Sequence, residues 1–133
     1  MISKELIYCK KWRQILEEEF SKDYFIKLCT FLENEYKKKT VYPQKNKIFE
    51  AINQTHFNDV KVVIIGQDPY HGKDQANGIA FAVDKSTEKP PSLKNILLEL
   101  STDLKKNTEN VDVFNWTRQG VLMLNSILTV REN

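Results

Sequence analysis

One hundred and thirty-three residues suffice for one ordinary domain, or for part of a larger one. With 41% hydrophobic and 29% charged residues the composition is globular, which excludes a disordered chain. A net charge of +2, from 20 Lys/Arg against 18 Asp/Glu, names no partner, although a local basic face can hide inside such a total.

The first residues, Met1 to Glu5, lead into mixed charge rather than an apolar stretch. No secretory signal is visible, and a cytoplasmic location is expected. Residues 1–40 read as helical: Ile15, Leu16 and Phe20, then Tyr24, Phe25, Leu28 and Leu32, recur at three- and four-residue steps. Glu17-Glu18-Glu19 and Lys37-Lys38-Lys39 fit the solvated sides and ends of these helices better than a DNA-binding cluster. Pro43 closes the section, and a short helix is expected with Ile48, Phe49 and Ile52 on one face.

The pattern then changes. Lys61 to Ile65 is a continuous β-branched run, the signature of a strand buried on both faces. Its aliphatic part, Val62 to Ile65, is the longest in the chain and far too short to span a membrane. A polar loop follows from Gly66 to Gly72. Ile79 to Val83 reads as a second extended segment or half-buried strand. Pro90-Pro91 is an extended stop, and Ser92 is the expected N-cap of a helix with Leu93, Ile96, Leu97 and Leu100 inward. Lys105 to Asn110 is a loop. Val121 to Leu124 is another buried-strand candidate, ending at Asn125.

Helices alternating with apolar strands predict an α/β class: a three-layer α/β/α arrangement around a mostly parallel sheet. Only two or three strands are convincing, whereas doubly wound sheets usually carry more. The expectation is one domain over residues 1–133 whose C-terminal strands are missing. Cys9 and Cys29 lack CxxC spacing and should stay reduced, and two histidines, His56 and His71, argue against a zinc cage. No metal or organic cofactor is implied.

Ligands of open parallel sheets bind outside the carboxyl ends of the strands. Asp68 follows one strand here and Asn125 the other, so a carboxylate and a carboxamide could face one pocket. The plainer reading makes Asp68 a turn residue or cap. Local detail favours chemistry: Pro69 restricts Asp68 to extended backbone, Gly66 and Gly72 permit tight bends, and Tyr70 sits where a solvated turn would carry Ser or Lys. The loop is neither GxGxxG nor GxxxxGK[ST], and Ser126 lacks a GxSxG elbow.

Gly66-Gln-Asp-Pro-Tyr-His71 after a Val/Ile strand resembles the water-activating loop of the uracil-DNA glycosylases. Val41-Tyr-Pro43, Gln75-Ala-Asn-Gly78 with Phe81, Lys89-Pro-Pro-Ser-Leu93, Glu99 to Asp103, Gly120 to Asn125 and Leu128-Thr-Val-Arg131 stand in that family's order and spacing. The likeness is close over residues 41–133 and looser before them. It implies hydrolysis of the N-glycosidic bond between uracil and deoxyribose, after the base has left the DNA stack.

On that resemblance Asp68 is the catalytic carboxylate, stabilising the positively charged sugar and positioning water, as a base or as an electrostatic group. Asn125 is the amide that reads uracil, and Phe81 stacks on the base. Tyr70 fills the space beside C5, where thymine carries a methyl group. Gln67 offers backbone polar contacts to the base. His71 orders water or a phosphate, and Pro91 and Ser92 belong to the segment that pinches the DNA backbone. Each residue also has an ordinary reading: Phe81 as core, Tyr70 as a lid on it, Asn125 and Ser92 as caps, His71 as a structural loop residue. The implied partner is uracil-containing DNA, with no membrane and a monomeric full-length protein.

The family pattern also includes a late His-Pro-Ser loop, whose histidine stabilises negative charge on uracil O2, and an apolar wedge. Residues 1–133 contain no counterpart of either, and His56 cannot take the role from its position. The expectation is therefore an active full-length enzyme and a weakly active or inactive 133-residue chain. The alternatives are a non-catalytic uracil- or DNA-binding fragment, or a structural α/β fragment.

Overall fold

The computed structural model describes residues 1–132; Asn133, the last residue of the expected domain span, lies outside the described residues. The N-terminal third folds as three helices, α1 (Lys10–Ile15), α2 (Glu17–Phe20) and α3 (Asp23–Lys38). Asp23 in the first turn of α3 and Lys37 and Lys38 in its last turn complement the helix dipole. Of the apolar positions whose spacing marks these helices, Ile15, Tyr24 and Leu28 are exposed. Leu16 and Phe20 pack partly buried against the Ile7 cluster, and the fully buried residues of this region are Ile2 and Ile7 in the segment before α1.

Two short strands that the sequence reading did not foresee, β1 (Val41–Tyr42) and β4 (Val130–Arg131), pair antiparallel. Side chains reinforce this clasp. Arg131 Nε donates to a Glu35 carboxylate oxygen on α3 at 2.5 Å, and the Tyr42 hydroxyl donates to Glu132 at 2.6 Å.

The centre is a parallel pair, β2 (Val62–Gly66) and β3 (Val121–Asn125), in register from Val62 opposite Val121 to Gly66 opposite Asn125. Alternation sends successive side chains to opposite faces. Leu122 and Leu124 pack with Ile7 and with Ala51 and Ile52 of the short helix α4 (Glu50–Gln54). Met123, Val121 and Ile64 pack on the other face with Ile79, Val113, and Leu93 and Leu97 of α5 (Pro91–Leu104). The expected layers of helix, sheet and helix are therefore present. No helix among the described residues is long and apolar enough to cross a membrane.

Three expectations need correction. The β2 strand is not buried on both faces: Val62, Val63 and Ile65 are 50%, 53% and 59% exposed. Among the described residues its only ladder partner is β3, so one edge and part of one face meet solvent. Second, Ile79 to Val83 is a turn rather than a strand. Ala80 N–H donates to the Met123 carbonyl at 3.0 Å and Ala82 N–H to the Ile79 carbonyl at 3.2 Å, while Phe81 has φ 64°. The run is apolar because Ile79, Ala80, Ala82 and Val83 are all buried against β3 and α5, not because it alternates. Third, Ser92 is not the N-cap of α5. Pro90 occupies that position and Pro91 opens the helix, where a missing N–H costs nothing.

Candidate active site

Gly66 and Asn125 close the parallel pair as register partners, so the two strand ends open onto the same side. A Cβ at Gly66 would lie 2.1 Å from Asn125 Oδ1. Glycine is therefore what lets the Asn125 amide lie across the end of β2. Beyond it the chain enters Gln67 to His71. The Gln67 carbonyl accepts the Ile127 N–H at 2.9 Å and the Ser126 hydroxyl at 2.8 Å, and Ser126 N–H reaches the Gly66 carbonyl at 3.0 Å. This lacing fixes the peptide preceding Asp68. It also engages the Gln67 carbonyl, so a backbone contact from Gln67 to a ligand falls to its N–H.

A cavity of about 260 Å³ sits at this end of the sheet, lined by Gln67, Asp68, Pro69, Tyr70 and His71, by Ala76, Gly78, Ile79 and Phe81, and by Ser92 and Asn125. It falls at or below the small end of small-molecule pockets, ~300–1,000 Å³, on the scale of a single base rather than a whole nucleotide. All the expected site residues line it except Pro91, which is exposed on the first turn of α5. Asp68 and His71 are exposed at its mouth, whereas Tyr70, Phe81 and Asn125 are half-buried.

Tyr70 is held by its hydroxyl, which donates to the Phe81 carbonyl at 3.2 Å and shares a hydrogen bond with Ser92 Oγ at 2.9 Å. Burial pushes the Tyr70 phenol up, and the Ser92 hydrogen bond pulls it part of the way back. Phe81 owes its place to the positive φ that turns the backbone there. Neighbouring Asn77 is buried, and its Oδ1 accepts the Ile79 N–H at 3.2 Å, stiffening the strap that carries Phe81.

The sequence reading gave no role to Ala76, Gly78, Ile79 or Ser126. Gly78 carried a legible signal. It has φ 88°, and a Cβ there would lie 2.0 Å from the Lys47 carbonyl. Only glycine permits both that conformation and that approach. The contribution of Ser126 is a hydroxyl-to-backbone bond across two loops, which no local pattern announces. Among the described residues no group of three or more His, Cys, Asp or Glu side chains could hold a metal.

The sequence model of the family described as "Uracil DNA glycosylase superfamily" matches residues 53–133, more than half of the chain. The chain belongs to this superfamily. A uracil-DNA glycosylase of Borreliella burgdorferi (strain ZS7) is 51% identical over 126 residues, covering 92% of this chain and 56% of the relative. One from Dictyostelium discoideum is 52% identical over 128 residues, covering 92% of this chain and 37% of its own. Among solved structures, the crystal structure of mimivirus uracil-DNA glycosylase superposes with a TM-score of 0.89 at 30% identity, covering 98% of this chain and 50% of that one. The likeness in fold thus extends through the N-terminal helices. The chain spans about half the length of the curated bacterial relatives it matches, such as that of Borreliella burgdorferi.

Proposed function

We propose that the cavity takes uracil flipped out of DNA, and that the protein to which these residues belong hydrolyses the N-glycosidic bond and so begins base excision repair. The observation that carries this reading is that Asp68, Tyr70, Phe81 and Asn125 line one cavity of about 260 Å³. Uracil presents an O4 acceptor beside an N3–H donor, and the Asn125 carboxamide offers the complementary pair. Cytosine reverses both groups, so a pinned amide would face like against like and leave buried polar groups unpaired. A 5-methyl group would meet the Tyr70 ring. Phe81 offers an aromatic face for the base, offsetting part of the few kcal/mol that unstacking costs.

Bond cleavage leaves positive charge on the sugar and negative charge on the departing base. The Asp68 carboxylate at the cavity mouth stabilises the sugar side and orients the attacking water. On this reading His71, Pro91 and Ser92 contact the DNA backbone. Residues 1–133 hold no counterpart of the late His-Pro-Ser loop, and losing one preorganised donor to a developing anion costs on the order of 100- to 1000-fold in rate. On this reading residues 1–133 by themselves are weakly active or inactive while keeping the pocket for the base.

The test is uracil release from a uracil-containing oligonucleotide by this chain extended with the C-terminal part of the Borreliella burgdorferi relative, alongside the same protein carrying Asp68→Asn. The substitution should cost about 100- to 10,000-fold. Equal rates would remove Asp68 from the mechanism, and no release by either would remove the proposed activity.

A further inference from the structure

We propose that Ser92 is a positioning residue for base discrimination, holding the Tyr70 ring across the cavity through a hydrogen-bonded chain that runs from Ser92 through the Tyr70 hydroxyl to the Phe81 carbonyl. The inference rests on the uracil reading above and deepens it. Its basis is a count of hydrogens. Each hydroxyl carries one. The Phe81 carbonyl can only accept, so the Tyr70 hydrogen at 3.2 Å from it is spent there. The 2.9 Å contact between the two hydroxyls is then made by the Ser92 hydrogen. One polar thread thus ties three separate parts of the chain: the Gln67–His71 loop, the Phe81 strap and the first turn of α5. Two of its members, Tyr70 and Phe81, are the rings that would sit against the base.

The same count has a consequence for DNA. A phosphate oxygen accepts and does not donate. If the Ser92 hydroxyl turns its hydrogen to a phosphate, either its bond to Tyr70 is lost or the Tyr70 hydrogen leaves the Phe81 carbonyl to make it. A backbone contact at Ser92 therefore breaks or reverses the thread, and either way alters the restraint on the ring that excludes a 5-methyl group. Ser92 couples the grip on the strand to the choice of base.

Two measurements on the 133-residue chain separate this inference from the reading beneath it. Fluorine NMR of 3-fluorotyrosine at position 70 needs no ligand. Ser92→Ala should shift and broaden that resonance as the ring gains freedom, and Ser92→Thr, which keeps the hydroxyl, should restore it. An unchanged resonance in Ser92→Ala overturns the positioning role whatever the pocket binds. Equilibrium titration with free uracil and free thymine then reads the preference. Ser92→Ala should lower the uracil-to-thymine affinity ratio by roughly 3- to 10-fold, the weight of one neutral hydrogen bond. Ser92→Thr should keep most of it. A ratio unchanged in Ser92→Ala also overturns the inference, and a chain that binds neither base overturns the uracil reading instead.

Discussion

The Oδ1 atom of Asn125 occupies the space that a side chain at Gly66 would need, only 2.1 Å from an ideal Cβ. This one steric fact links a backbone choice to a binding group. Gly66→Ala should push the amide off the end of β2. Unfolding should cost about 1–3 kcal/mol less, the usual effect of overpacking, and uracil affinity should fall at the same time. Calorimetric titration with uracil and a urea melt read the two effects; an alanine variant that binds as tightly as the parent would separate the glycine from the site. At this scale much was legible beforehand. Asp68 and Asn125 were singled out because each follows an apolar strand, a rule that needs only sheet geometry. Ser126, Ile79 and Ala76 were not, because their parts depend on which loops meet.

Helix α5 shows how an element reports its burial. Leu93 and Leu97 are 3% and 5% exposed and face β3 and the Phe81 strap, whereas Leu98 on the far side is 65% exposed. Leu97→Ala should destabilise the chain by about 2–5 kcal/mol, and Leu98→Ala should stay within ~0.5 kcal/mol. Urea unfolding of the two variants reads the contrast directly. If they cost the same, the packing of α5 on the sheet is not as described. The periodicity that revealed α5 was reliable because it recorded a real inner face. The Ile79 to Val83 run misled for the opposite reason. Burial of Ile79, Ala80, Ala82 and Val83 makes a turn as apolar as a strand, and the Ala82-to-Ile79 hydrogen bond and the positive φ of Phe81 tell them apart. Strands β1 and β4 were hidden by their length, since two residues carry no period to read.

Across the whole molecule, the N-terminal helices are tied to the remainder by ionisable side chains with shifted protonation. Burial pushes the Tyr36 phenol up to about 12, and its hydroxyl donates to the Pro43 carbonyl at 2.6 Å. The hydrogen bond to Glu132, and then burial, push the Tyr42 phenol up to about 12 as well. Between the ordinary tyrosine value and that range the unfolded chain holds fewer protons than the native one. Stability contributed by these phenols is thus complete below about pH 10 and falls as pH rises toward 12. Glu33 and Glu35 act in the other direction. Lys45 holds Glu33 below the usual carboxylate range, with help from the Ile2 N–H, and Arg131 does the same for Glu35. Their contribution is present above the ordinary carboxylate value and fades as pH falls through the lowered one. Thermal melts from acid to alkaline pH should therefore form a plateau with losses at both ends. Tyr36→Phe should leave out part of the alkaline loss, and an unaltered alkaline limb would contradict that assignment.

The carboxylate loop after β2 and the amide at the end of β3 should form a single receptor for one pyrimidine. Titration of the ¹⁵N-labelled chain with free uracil, followed by NMR, examines this directly. The side-chain amide of Asn125 and the backbone amides of Gln67, Tyr70 and Phe81 should shift together along one saturating curve, and cytosine should leave them in place. Shifts confined to another surface, or an Asn125 amide that stays still while uracil binds elsewhere, would contradict it.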